Sequence, residues 1–133
     1  GADRPFDLIG FSMGGLVSRY YVQRLGGLPR VNRFVTISTP HKGTVLGWFG
    51  YRYGIRQMRP SSEFIEDLNG DIAQLTTVKF FSLWTPFDLL ILPPTSSVMS
   101  GKIGHTLRLA VPTHNRMIRD RSALETVCQC LCA

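Results

Sequence analysis

No stretch of this 133-residue chain approaches the roughly 18 apolar residues that a membrane-spanning helix needs. A helical transmembrane segment is therefore not expected. No secretory leader pattern opens the sequence either. The first residue is Gly1 rather than Met, so that absence carries no weight, and the compartment stays open, with the cytoplasm slightly ahead of export. Dense basic runs are also missing. The formal net charge is +6, but the arginines and lysines are scattered, which argues against a nucleic-acid footprint. A solvated, arginine-rich surface remains, able to steer anionic ligands or lipid headgroups. Cysteine is scarce and poorly spaced for a metal. Cys128, Cys130 and Cys132 form C-x-C-x-C, an odd set without the usual C-x-x-C pairs, so no metal site is expected. No internal repeat, low-complexity tract or domain boundary is visible.

What is present is globular: 44% hydrophobic residues against 18% charged, enough for one domain with a core. Phe6 to Phe11 is a short apolar run that suits a buried strand. From Gly14 the period changes. Leu16 with Tyr20, and Val17 with Tyr21, predict a helix to Leu25 with an apolar face, ended by Gly26-Gly27. Phe34 to Ser38 reads as the next strand. Strand, helix, strand with short links is a βαβ unit, so the sheet should be parallel. Further on, Ser62 can cap a helix starting at Glu63, and a short helical turn covers Ile72 to Leu75. Val78 to Trp84 and Leu107 to Val111 are expected strands. Ser122 with Glu125 predicts a capping box for a last helix to about Leu131.

Between the first strand and the first helix lies Gly10-Phe11-Ser12-Met13-Gly14, a G-x-S-x-G pattern in its required context. A strand turning straight into a helix forces the residue at the bend into a strained conformation. Residues two before and two after the bend should then approach closely, and glycine at positions 10 and 14 removes the clash. The Ser12 hydroxyl is left above the carboxyl edge of the sheet, at a helix N-terminus that favours negative charge. The Met13 amide would face an oxyanion formed by attack of Ser12 on a carbonyl.

The segments "DLIGFSMGGLVSRYY" and "VTISTPHKGT" resemble α/β-hydrolase lipases and esterases, above all the bacterial triacylglycerol-lipase-like group. The resemblance runs from Asp7 to the final helix. It implies a serine hydrolase acting on carboxylic esters, with chain order serine, acid, histidine and no cofactor. It also implies that residues 1–133 are the C-terminal part of one α/β-hydrolase domain, an α/β fold of parallel sheet with flanking helices. The N-terminal strands and the second oxyanion donor would then be absent. Among the histidines, His114 follows the last expected strand and precedes the last helix, as the resemblance requires of the base. His41 precedes any plausible acid, and His105 enters a strand from its far end. Asp88, past the third expected strand among apolar neighbours, takes the acid position that the resemblance carries over. Asp120 is the rival, while Asp67 and Asp71 read as surface carboxylates. Thr39 to Thr44 is a family-like stretch that shapes the rim of the site in similar lipases, though a plain proline-glycine turn explains it equally.

Residues 39–61 break every period, and the excursion to about residue 76 looks lid-like. Its Trp48, Phe49, Tyr51, Tyr53, Ile55 and Met58 could form a lid, an acyl-chain wall or the core of an inserted subdomain. The expected activity is hydrolysis of an acyl ester or lipid through an acyl-enzyme on Ser12. Alternatives are a thioesterase or acyltransferase of the same fold, or a truncated, non-catalytic remnant. Neither oligomeric state nor acyl-chain length is legible.

Overall fold

A computed structural model describes residues 3–133. Four strands, β1 (Phe6–Phe11), β2 (Val31–Ile37), β3 (Lys79–Trp84) and β4 (His105–Arg108), form one sheet in the order β1-β2-β3-β4. Every neighbouring pair is parallel, so each connection must cross from one end of the sheet to the other. The first crossing is α1 (Met13–Arg24). The second contains two short helices, α2 (Tyr53–Gln57) and α3 (Glu63–Gly70), and α4 (Arg121–Cys132) follows β4. Among the described residues, no helix is long and apolar enough to cross a membrane.

The central strands are buried along most of their length because both sheet faces are covered, with Asn32 and Lys79 exposed near their amino ends. Phe34 and Phe80 point to one face, into a cluster with Val22, Val31 and Leu75. Their neighbours Val35 and Phe81 point to the other, into a cluster with Met117, Ala123 and Val127 from the end of the chain. Burying side chains of this size contributes about 1.5–3 kcal/mol each, which fixes the register of β2 against β3.

Several expectations shift. β2 begins at Val31, three residues earlier than its most apolar part, since Val31 itself is buried. β4 occupies His105–Arg108 rather than Leu107–Val111: the chain leaves the sheet after Arg108, and Val111 packs in the core from the loop. The last helix is capped by Asp120, whose carboxylate accepts from the Ser122 and Ala123 N–H groups, and not by Ser122. Glu125 is engaged elsewhere, accepting from Arg121 one turn back. The buried face of α1 is also unlike the predicted apolar stripe. It carries Gly15, Leu16, Arg19, Val22 and Gln23, while Val17 and Tyr20 are exposed.

Candidate active site

In a parallel sheet the carboxyl ends of all strands lie along one edge, and loops there can converge. Ser12 follows β1 directly, Asp88 lies in the loop after β3, and His114 in the loop after β4. Ser12 has φ 53° and ψ −125°, a left-handed conformation that an L-residue adopts at a cost. Its N–H still donates to the Ile37 carbonyl at 2.8 Å, so the strand ladder holds the bend from below.

The glycines divide the steric work differently from the sequence expectation. A Cβ on Gly10 would lie 2.6 Å from the Gly15 Cα, so the close approach at that end is real. A Cβ on Gly14 would meet nothing within 4 Å. Gly15 is the tight position instead, because a Cβ there would overlap the Thr39 side chain at the exit of β2. Helix α1 packs its second glycine, not its first, against the neighbouring strand.

Asp88 and His114 form a buried pair. His114 Nδ1 is 2.8 Å from Asp88 Oδ2, with the side chains 6% and 2% exposed. The other carboxylate oxygen accepts from the Leu90 and Ile91 N–H groups at 2.9 and 3.0 Å. A carboxylate so engaged accepts the Nδ1 proton, which leaves the Nε2 lone pair free. The loops carrying the pair are tied together. Thr85 donates to the Val111 carbonyl, and Leu109 N–H to the Trp84 carbonyl. The His114 ring lies on Phe11, centroids 4.9 Å apart, so the imidazole stands beside the residue preceding Ser12. Among the described residues, neither the Ser12 hydroxyl, the His114 Nε2 nor the Met13 N–H is committed to another partner. A cleft of about 130 Å³ adjoins the imidazole, walled by Phe87, Leu89, Leu90 and Pro112.

The rival residues are placed elsewhere. His105 sits at the amino end of β4, on the opposite sheet edge, stacked on Phe81. Asp120 is the cap of α4, and the Ser122 hydroxyl bound to it lowers its pKa. Asp67 and Asp71 pair with Arg24. His41 is buried, with Nε2 3.0 Å from the Thr36 hydroxyl and Nδ1 3.3 Å from Arg19. A guanidinium only donates, so Nδ1 accepts and the Nε2–H tautomer is present. Burial, with help from the Arg19 and Lys42 charges, pushes its pKa well below 6.5 and keeps it neutral.

Sequence reasoning missed the scaffolding around these groups. Arg19 is wholly buried and donates to Gln23, the Leu68 carbonyl and Asn69, tying α1 to α3. Burial lowers its pKa to about 10, against the opposing pull of Asp71. The Thr39–Thr44 stretch has a positioning task. Thr44 donates to the Leu90 carbonyl and accepts from the Leu92 N–H, holding the loop that presents Asp88. Among the described residues, no group of His, Cys, Asp and Glu is arranged to hold a metal ion.

A family model for palmitoyl protein thioesterase matches residues 1–50, which contain the Ser12 bend and the Thr39–Thr44 stretch. No curated protein matches the chain. Among solved structures, lipase B of Aspergillus fumigatus is similar at 20% identity and a TM-score of 0.75, covering 88% of this chain and 34% of the lipase. A gene product of Listeria innocua is similar at 16% identity and a TM-score of 0.68, covering 95% of this chain and 57% of that one. The enol-lactonase of Burkholderia xenovorans is similar at 13% identity and a TM-score of 0.59, covering 99% and 67%. The chain thus spans about a third of the lipase and just over half of the Listeria protein. The shared architecture is the α/β-hydrolase fold, and this chain covers only part of the solved structures that carry it.

Proposed function

We propose that this chain, an α/β-hydrolase fold with a strained serine on its carboxyl edge, carries the catalytic machinery of a serine carboxylic-ester hydrolase. The observation that supports it most is the buried Asp88–His114 pair at 2.8 Å, set beside the bend that presents Ser12. His114 Nε2 takes the Ser12 hydroxyl proton as Oγ attacks the ester carbonyl. The Met13 N–H helps to hold the resulting oxyanion at the start of α1. The carbon–oxygen bond then breaks, and the alcohol leaves with the proton from His114. Water gives its proton to the same nitrogen, attacks the acyl-serine, and releases a carboxylic acid with Ser12 restored. Asp88 keeps the ring in the reactive tautomer and stabilises the imidazolium. The apolar cleft beside His114 suits an acyl or alkyl group better than a sugar or peptide.

A thioester substrate is the second reading, favoured by the thioesterase family model over the segment that bears Ser12. The same steps apply, with a thiol leaving in place of the alcohol. Assay against p-nitrophenyl acyl esters and acyl thioesters, beside Ser12→Ala, separates the readings. Turnover of the esters, abolished by the substitution, supports the first. Turnover of thioesters alone supports the second. A folded chain that hydrolyses neither class overturns both.

A further inference from the structure

From Leu8 to Ser62 the sequence contains no aspartate or glutamate at all. The part of this stretch after β2 carries Lys42, Arg52, Arg56 and Arg59. Elsewhere three arginines form ion pairs: Arg24 with Asp67 and Asp71, Arg33 with Asp7, Arg121 with Glu125. Among the described residues, none of the four cations on the excursion forms an ion pair. The aromatic residues between them do not form a buried core. Phe49 is 80% and Tyr51 99% exposed, and Trp48 and Tyr53 are also largely in solvent. Arg59 stacks over the Trp48 ring at 4.5 Å and donates to the Gly47 carbonyl, so the tryptophan is held in place rather than trailing. An open groove of about 510 Å³ separates Trp48 and Tyr53 from Phe64, with the acidic Glu63 at its border.

Four aromatic rings held outward among unpaired arginines are costly to leave in water. Indole and phenol rings are at home where an apolar layer meets a polar one. Guanidinium groups bind phosphate oxygens in a forked geometry, and residues 45–59 carry no carboxylate to repel the phosphates. We infer that residues 45–59 form a peripheral docking surface for an anionic phospholipid layer, the rings entering the headgroup zone and Arg52 and Arg56 meeting lipid phosphates. Position adds a consequence. The α2 turn lies against Met13, where a Cβ on Gly54 would be 3.5 Å from the Met13 sulfur. A docked layer is therefore brought to the residue next to Ser12. The docking surface does not depend on Ser12 reacting, and it can be tested in an unreactive protein.

The experiment is flotation of the chain with phosphatidylcholine vesicles and with vesicles containing about a third phosphatidylglycerol, repeated with Ser12→Ala. Binding to the anionic vesicles should exceed that to neutral ones by at least about tenfold and fall steeply with added salt. Arg52→Glu with Arg56→Glu should lower it by about tenfold or more. With Trp84→Phe, the remaining Trp48 should shift its emission to the blue on binding. Circular dichroism establishes that the charge-reversed protein is folded. If it is not, the salt dependence and the Trp48 shift of the Ser12→Ala and Trp84→Phe proteins decide alone. Equal or absent binding to both vesicle types overturns the inference. So does retention on an RNA homopolymer without vesicle binding, which would assign the cations to a nucleic acid.

Discussion

Acidification should loosen this fold through His41, and substitution of that one residue should remove the effect. The imidazole is enclosed, neutral, and faced by the Arg19 guanidinium at its only accepting nitrogen. Unfolded, the same group takes up a proton near 6.5; folded, it does so only at much lower pH. Below about pH 6.5 the unfolded chain therefore binds the extra proton, and stability falls with falling pH, until the folded group itself titrates. Going from about pH 7.5 to about pH 5.5, the loss from this group alone is on the order of 1 kcal/mol, or a few degrees in Tm for a domain of this size. The assay is urea unfolding of the parent and His41→Gln proteins across that range. The substitution has its own constant cost, from Thr36 and Arg19 losing a well-placed partner, but only the slopes are compared. All other titrating groups are common to both proteins and cancel. The parent should lose on the order of 1 kcal/mol more than the variant. Parallel slopes, or a His41 ring that titrates near 6.5 in the folded protein by NMR, would refute the reasoning.

The hydrolase reading makes Asp88→Asn the sharpest test of the pair. The amide can hold the imidazole only in the wrong tautomer, so kcat for an activated ester should drop about 10³–10⁴-fold with little change in KM. A loss below tenfold would remove Asp88 from the machinery. At the bend, Gly15→Ala should cost about 1–3 kcal/mol, because its methyl group overlaps Thr39. Gly14→Ala enters open space within a helix and should leave thermal stability equal or slightly higher. Melting curves showing the reverse order would contradict the packing described at Gly15.

The first βαβ unit was legible because its signals agree: an apolar run, a change of period at Gly14, and a stop at Gly26-Gly27. The parallel sheet followed from that unit, and positions 88 and 114 were reached through family resemblance, not through any local signal. What escaped the sequence is instructive. An arginine and a glutamine on a helix read as solvent-facing, yet Arg19 and Gln23 form the inner face of α1. Their partners come from α3, more than 40 residues away in sequence, and no local period records that pairing. The Ser122–Glu125 pattern misled because Asp120, two residues earlier, already caps the helix by accepting from the Ser122 and Ala123 N–H groups, which leaves Ser122 inside the first turn. Gly14 was singled out by symmetry about the serine. The steric demand falls on Gly15 because the neighbouring chain at Thr39 lies against that position.

The most direct test is covalent. The folded chain is treated with a fluorophosphonate and digested, and the adduct is mapped by mass spectrometry, beside the His114→Ala and Ser12→Ala proteins. A single adduct on Ser12, slowed by loss of His114 and absent without Ser12, is the predicted result. A folded chain that stays unlabelled, or one labelled elsewhere, would contradict the assignment of Ser12 as the nucleophile.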